Sequence, residues 1–331
     1  MCIHVFNLIL QKKKSSMKIS GFTFMRDTAQ LYYPFVESIL SILPLVDEFV
    51  IAIGDCKAGD RTKELVLAID SPKIKVIDTV WDTETYKKGT VHAQQTDVAR
   101  FACSGDWLFY LQADEVIHEK YLPVIHKRCE ELLNDTQVEG LLFGFRHFFG
   151  DYDHFVNSHG WYPQEIRMIR NHPDIHSYIS AQSFRRIPNF DGKDYRIKEG
   201  AFHLKVAKVE AEVYHYGWVR PPHYMQSKSR VINTTHQGKE KAEAMYEDQP
   251  TDFDYGPLGN LPIFKGTHPK VMANKIAQFD WKDRLDYGTQ QQLNRPLMKH
   301  EKTKNKILTK IEQGLLGGRQ LFGYKNWEVI R

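Results

Sequence analysis

The stretch DWLFYLQADEVIHE, residues 106–119, ends a run of strand-forming apolar residues on Asp114-Glu115, two adjacent carboxylates at the point where a buried strand should surface. An Asp after a strand commonly caps the next helix, a contribution of about 1 kcal/mol. A cap needs no second acid beside it, however. Paired oxygen donors at a strand end suit a hard divalent cation. Mg2+ or Mn2+ held by one or two carboxylates keeps several waters and bridges to phosphate oxygens. The loop GDCKAGDRT, residues 54–62, adds Asp55 and Asp60. An acid placed there can accept a hydrogen bond from a base or a ribose. The same residues also suit a plain turn, which uses Asp and Gly for local hydrogen bonds and backbone freedom.

These loops need elements to position them. Lys18–Phe24 (KISGFTF) reads as a strand that ends at Asp27, and residues 28–43 as a helix with Leu31, Phe35, Ile39 and Ile42 on one face. Pro34 is tolerated there as part of the first turns, and Pro44 stops the helix. EFVIAI (48–53) is a second strand, 62–69 a helix, 73–77 a third strand, 90–102 a helix capped by Thr90, and 107–111 the fourth strand. Strand and helix thus alternate four times with short joins, which predicts an α/β fold with a doubly wound, largely parallel sheet. In such sheets ligands sit outside the carboxyl ends of the strands. The loops at Asp27, Asp55 and Asp114 all follow strands, so they should gather at one edge. Residues 150–218 are rich in aromatics and short β-like runs without further alternation, an α+β half on the acceptor side of the site. Residues 247–269 form a Pro/Gly-rich loop, followed by two helices: one from Pro269 with Met272, Ile276 and Phe279 inward, and one over 301–313 with Ile307, Leu308 and Ile311 inward.

The chain has 331 residues, 42% of them apolar and 26% charged, with a net charge of +4, an ordinary soluble composition too weakly basic to argue for nucleic acid. The basic residues are uneven: residues 295–331 hold nine Lys/Arg against three Asp/Glu. Such a segment suits an anionic membrane surface, or simply a solvated helix face. Cys2, Cys56, Cys103 and Cys129 are far apart and form no C-x-x-C pair, which argues against structural zinc or a disulfide framework and makes a reducing cytoplasm the expected compartment. The opening MCIHVFNLILQKKKSS carries its apolar run before its lysines, the reverse of a secretory signal. Residues 1–16 are therefore read as an extension and Met17 as the functional start. The expected division is 1–16, a catalytic domain over 17–235, and a loop-rich linker with a basic helical appendage over 236–331.

The order VIAIGDCKAGDRT, ACSGDW, LFYLQADE, WYPQEIRMIR and YHYGWVRPP resembles the family 2 glycosyltransferases of GT-A fold, and within them a bacterial subgroup with YLQADE-type, WYPxEIR and YHYGWVRPP motifs. The tail segments HPKVMANKIAQFDW and LLGGRQLFGYKNWEVIR are similar to the same subgroup. The resemblance implies a cytoplasmic transferase, peripheral at the membrane, that moves a sugar from a nucleotide-diphosphate donor to a hydroxyl of a glycan or glycolipid. Inversion, Mn2+ or Mg2+ as cofactor, and a product in surface glycan or lipopolysaccharide belong to the same expectation. By position, Asp55 matches the acid that meets the nucleobase, Asp60 the second acid of that loop, and Asp27 the end of the first strand. Asp114 matches the metal-binding acid of an Asp-X-Asp pattern whose first acid is here Gln112, one negative charge fewer. Gln112 can still hydrogen-bond a ribose or a phosphate. Glu115 and His215 complete the expected metal ligands, and Arg220 offers a planar fork to a diphosphate. Glu165 falls where the family places its catalytic base, although an amphipathic strand with Glu165 paired to Arg167 fits the same residues. Trp161 and Tyr162 would stack on the acceptor sugar. Two rivals remain: a catalytically inactive GT-A-like glycan-binding protein, and a metal-dependent nucleotidyltransferase, against which the lack of a Gly-rich phosphate loop in GFTFMRDTAQ counts.

Overall fold

The computed structural model describes residues 17–331 apart from Gln291, Gln292, Asn294 and Tyr324; the expectations for residues 1–16 lie outside them. The first half follows the predicted alternation: β1 (Ile19–Met25), α1 (Phe35–Ile42), β2 (Glu48–Ile53), α2 (Thr62–Leu67), β3 (Ile74–Asp78), α3 (Thr90–Phe101) and β4 (Trp107–Tyr110). Then come β5 (Glu115–Ile117), α4 (Leu122–Leu132), β6 (Gly140–Phe149), β7 (Phe155–Val156), β8 (Gln164–Arg170), β9 (Ile175–Tyr178), β10 (Ser183–Arg186) and the long β11 (Phe202–Trp218). The chain closes with α5 (Pro222–Gln237), α6 (Lys239–Tyr246), α7 (Ala273–Ala277), α8 (Thr303–Leu315) and β12 (Trp327–Val329).

The sheet runs β3-β2-β1-β4-β8-β6-β11-β10-β9. Strands β3, β2, β1 and β4 are parallel, β8 is antiparallel to both of its neighbours, and β6 and β11 are again parallel. The class is α/β. Because side chains alternate across a strand, apolar runs serve two cores at once. Phe49, Ile51, Trp107 and Phe109 pack on the face of α1 and α4, whereas Val50, Ala52, Leu108 and Tyr110 pack on the other, with Ala99 of α3 and Phe184.

Three expectations need correction. The first helix does not start at Thr28: Tyr32 sits at φ +59° and the helix begins after Pro34. Proline lacks the amide a helix interior needs and disfavours α geometry in the residue before it. The last helix turns its other face inward. Ile307 and Ile311 are exposed, while Thr309 bonds Ser158 and His159, and Glu312 bonds His159 and the amide of Leu321. Polar partners on the underlying loop decide this orientation. Finally, a boundary at residue 235 would fall inside α5, and β12 pairs with β11, so residues 236–331 are not set apart from the sheet.

At the amino edge Glu48 accepts from Ser20 Oγ (2.6 Å), Ser104 N (2.6 Å) and Ser104 Oγ (2.9 Å), and pairs with Lys75 (2.5 Å), tying β1, β2, β3 and the entry to β4 together. Burial pushes its carboxyl up, but Lys75 and the serine bonds outweigh that and hold it at about 2. A carboxylate depressed in the folded state stabilises it above the unfolded value and loses that contribution as pH falls. Urea unfolding should therefore show the wild type losing a few kcal/mol between about pH 5 and pH 2, with a visibly flatter profile for Glu48→Gln. Parallel profiles would remove Glu48 from the acid response.

Candidate active site

The carboxyl ends of β1, β2 and β4 meet at one edge of the sheet. Beyond β4 the chain makes a tight turn in which Glu115 N donates to Gln112 O (3.0 Å) and Ser38 Oγ donates to the same carbonyl (3.1 Å). It then enters β5, where Glu115 lies opposite His215 of β11. Asp114 thus stands between the end of β4 and β11, with its carbonyl accepting from Tyr216 N at 2.8 Å.

The two adjacent carboxylates part ways. Glu115 is fully buried and grips Arg167 through both oxygens, at 2.6 Å to Nη2 and 2.7 Å to Nε. The guanidinium lies against Phe145 and Tyr110. Asp114 keeps 5% exposure, and its Oδ2 accepts from Lys228 Nζ of α5 at 2.9 Å. Lys228 also donates to Gly217 O at 2.8 Å. Burial alone would raise the Asp114 carboxyl; the positive charges of Lys228, foremost, and Arg220 outweigh it and hold it well below the carboxylate range. Lys228 is lowered to about 8 by burial and by Arg220, against the pull of Asp114. A Cβ at residue 217 would stand 2.7 Å from Asp114 Oδ2 and closer still to His215 Nε2, so any larger residue there would push these two side chains aside.

His215 Nε2 is 3.7 Å from Asp114 Oδ2. Its tautomer follows from its partners. His147 Nε2 contacts the Tyr162 carbonyl at 2.8 Å, which only accepts, so that nitrogen carries the proton. Both rings are held neutral by burial, His147 at about 4. His147 Nδ1 is then an acceptor, His215 Nδ1 donates to it at 3.0 Å, and His215 Nε2 presents a bare lone pair toward Asp114. Tyr162 meets the His147 ring edge-on at 4.6 Å, and Trp161 packs on it at 5.3 Å, so the two expected acceptor-side aromatics form a wall beside His215.

The remaining expected residues divide. Asp55 is exposed at the tip of β2, where it pairs with Arg26 (3.2 Å) and accepts from Trp81 N (3.0 Å), with Arg26 stacked over the Trp81 ring. In the order β2-β1-β4 it stands two strand spacings, roughly 10 Å, from the end of β4. Asp27 is buried and accepts from Lys57 N, and Asp60 accepts from Thr62 N and Gln30 N. Asp27, Cys56 and Asp60 have ligand atoms within 4.8 Å of one another, but these bonds make them a clip between two loops. Gln112 Nε2 donates to Ala181 O.

Three expected roles, Glu115 as metal ligand, Arg220 as diphosphate clamp and Glu165 as base, do not fit the contact geometry. Glu115 is no metal ligand, because both of its oxygens are on Arg167. The set Asp114, Glu115 and His215 therefore does not assemble around one ion; only a carboxylate already paired to Lys228 and one neutral nitrogen face each other. Arg220 has no exposure: Nη1 donates to Leu31 O (2.6 Å), the guanidinium lies over the Tyr33 ring at 4.4 Å, and Nε and Nη2 are buried with no hydrogen-bond partner among the described residues, so it acts on Asp114 by charge and does not reach out to clamp a ligand. Glu165 is 1% exposed and accepts from Ser183 Oγ (2.8 Å), Ile166 N (3.0 Å) and Asn326 Nδ2 (3.2 Å). It fastens β10 and the C-terminal segment to β8, which is no position for a base that meets a substrate hydroxyl. Its expected pairing with Arg167 is replaced by the Arg167–Glu115 pair.

The site residue that sequence reasoning missed is Lys228. Its signal was present: it follows Pro222 and Met225 on the inward face of α5, a lysine at an apolar position. His147 lies with His154 and His159 in FRHFFGDYDHFVNSHG, a run whose composition suits an acceptor pocket but whose histidine spacing fits no metal template.

Neither a family model nor a curated relative matches the sequence. Among solved structures the chain is similar to glucosyl-3-phosphoglycerate synthase from Mycobacterium tuberculosis, crystallised with Mn2+, uridine diphosphate and glucosyl-3-phosphoglycerate. That likeness has 19% identity over 40% of this chain and 46% of that one, with a TM-score of 0.29. It is also similar to S. aureus TarS, at 15% identity over 68% of this chain and 41% of that one, with a TM-score of 0.36. The chain spans less than half the length of these structures.

Proposed function

We propose that this protein is a glycosyltransferase that moves a sugar from a nucleoside-diphosphate donor to a hydroxyl of a glycan or glycolipid, in surface-glycan biosynthesis. The observation that carries the reading is the placement of Asp114, His215 and Lys228. All three keep a sliver of surface, 5%, 8% and 6%, at the carboxyl edge of parallel strands, where α/β sheets bind ligands. Beside them, the exposed Asp55 offers an acid for a nucleobase, and Trp161 with Tyr162 an aromatic wall for a sugar. Positive charge at the floor stabilises the diphosphate as its bond to the anomeric carbon breaks, and such electrostatic terms usually dominate. The transfer is read as one in-line displacement with inversion, as the sequence resemblance implies. The opposing, non-enzymatic reading, a glycan-binding relative, would leave this buried charge without work.

A thermal-shift screen with nucleoside diphosphates tests this reading. A ligand at 100 times its Kd adds about 2.7 kcal/mol, a rise of several degrees for a chain of this size. No shift with any of the common bases would count against the proposal.

Among the described residues no helix is long and apolar enough to cross a membrane. We read the basic C-terminal region as resting on anionic lipid, since Ile307, Ile311, Leu315 and Phe322 are exposed beside Lys304, Lys310 and Arg319. The chain should sediment with phosphatidylglycerol vesicles and not with neutral ones. Changing Ile307, Ile311 and Leu315 together to Ser should abolish this; undiminished sedimentation would refute the reading.

A further inference from the structure

We infer that the Lys228 ammonium is the site's built-in cation and takes the place of a divalent metal ion at the donor diphosphate. The inference rests on the glycosyl-transfer reading and concerns how that reaction is run. Three observations carry it.

The first is the donor set. A metal held here could draw only on Asp114 and the His215 Nε2 lone pair, because Glu115 is committed to Arg167, position 112 is a glutamine, and Asp114 Oδ2 already accepts from Lys228 at 2.9 Å. The second is charge. Glu115 and Arg167 cancel, so Asp114 carries the one remaining negative charge against Lys228 and Arg220, which together leave the floor at a net positive charge. A dication placed in that enclosed space would be repelled by both. A diphosphate balances it. The third is geometry. An ammonium has three N–H donors. Two are used, on Asp114 Oδ2 and Gly217 O; the ammonium lies over the Tyr33 ring at 4.9 Å, and no third oxygen takes it among the described residues, which leaves one N–H for a phosphate oxygen. Asp114 and Gly217 O aim the ammonium, and Arg220, out of reach itself, adds charge behind it.

In the reaction the bond between the anomeric carbon and the diphosphate oxygen breaks, and its electron pair stays on that oxygen, where the Lys228 ammonium meets it. The acceptor oxygen forms the new bond to carbon and gives its proton to solvent. Lys228 keeps its own proton throughout and acts as a fixed charge.

The test is calorimetric titration of the full chain with the nucleoside diphosphate that shifts its melting temperature, in EDTA and in Mn2+, for wild type and Lys228→Met. Expected is a wild-type Kd that changes less than threefold between EDTA and Mn2+, and a loss of at least tenfold in Lys228→Met under both conditions. A wild-type Kd that weakens tenfold or more in EDTA overturns the inference and leaves the transferase reading standing. Undiminished binding by Lys228→Met overturns it as well. Binding of no nucleoside diphosphate under either condition overturns the transferase reading itself, and the inference with it. The wild-type comparison needs no variant, so it decides even if Lys228→Met does not fold; Lys228→Arg, which keeps the charge, should retain binding within about tenfold where the Met variant does not.

Discussion

Asp114→Asn should lower turnover about 100- to 1,000-fold while the melting temperature falls by no more than about 5 °C. Asparagine keeps the shape of the side chain but removes the negative charge that positions Lys228. The lysine would then stand in a buried site beside Arg220 without a counter-charge. It has an exit: already lowered to about 8, it can release its proton and persist as a neutral amine. The fold therefore survives, while the site loses the charge that the leaving diphosphate requires. Steady-state release of nucleoside diphosphate, paired with a melting curve of the same sample, separates these effects. Turnover within threefold of wild type would remove Asp114 from the account.

Glu115→Ala should do the reverse and act first on stability. Removing this carboxylate leaves the Arg167 guanidinium buried at zero exposure, and arginine cannot shed its proton. Breaking such a pair costs about 3–5 kcal/mol, a drop in melting temperature of roughly 4–7 °C for a chain of this length. The double variant Glu115→Leu with Arg167→Met, which removes both charges and keeps volume, should recover much of the loss. If Glu115→Ala were as stable as wild type, the pair would not be the structural anchor that its geometry indicates. Two neighbouring acids would then show opposite phenotypes: residue 114 matters for turnover and residue 115 for folding.

Much of the fold was legible because local pattern and tertiary role agree in it. EFVIAI is a strand from its first residue to its last, and its alternation feeds two cores. The polar loops after β1, β2 and β4 could be placed at one edge because parallel strands force their ends together. What stayed hidden depends on partners far along the chain. Lys228 lies 114 residues from Asp114, and Arg167 lies 52 residues from Glu115, so nothing near the acids reveals which cation each meets. Arg167 had a nearer candidate in Glu165, but that side chain is taken by Ser183 and Asn326. The inward face of α8 was misread for a related reason. Hydrophobic spacing favours Ile307 and Ile311, yet the surface beneath the helix offers Ser158 and His159, and polar contacts select the other side.

The most direct measurement of the central claim is release of nucleoside diphosphate from a panel of nucleoside-diphosphate sugars by the purified full chain, with Asp114→Asn as the blank. The account predicts release from at least one donor, stimulated by a hydroxyl-bearing glycan acceptor and lost in the variant. Release equal in the two proteins, or none from any donor, would contradict it.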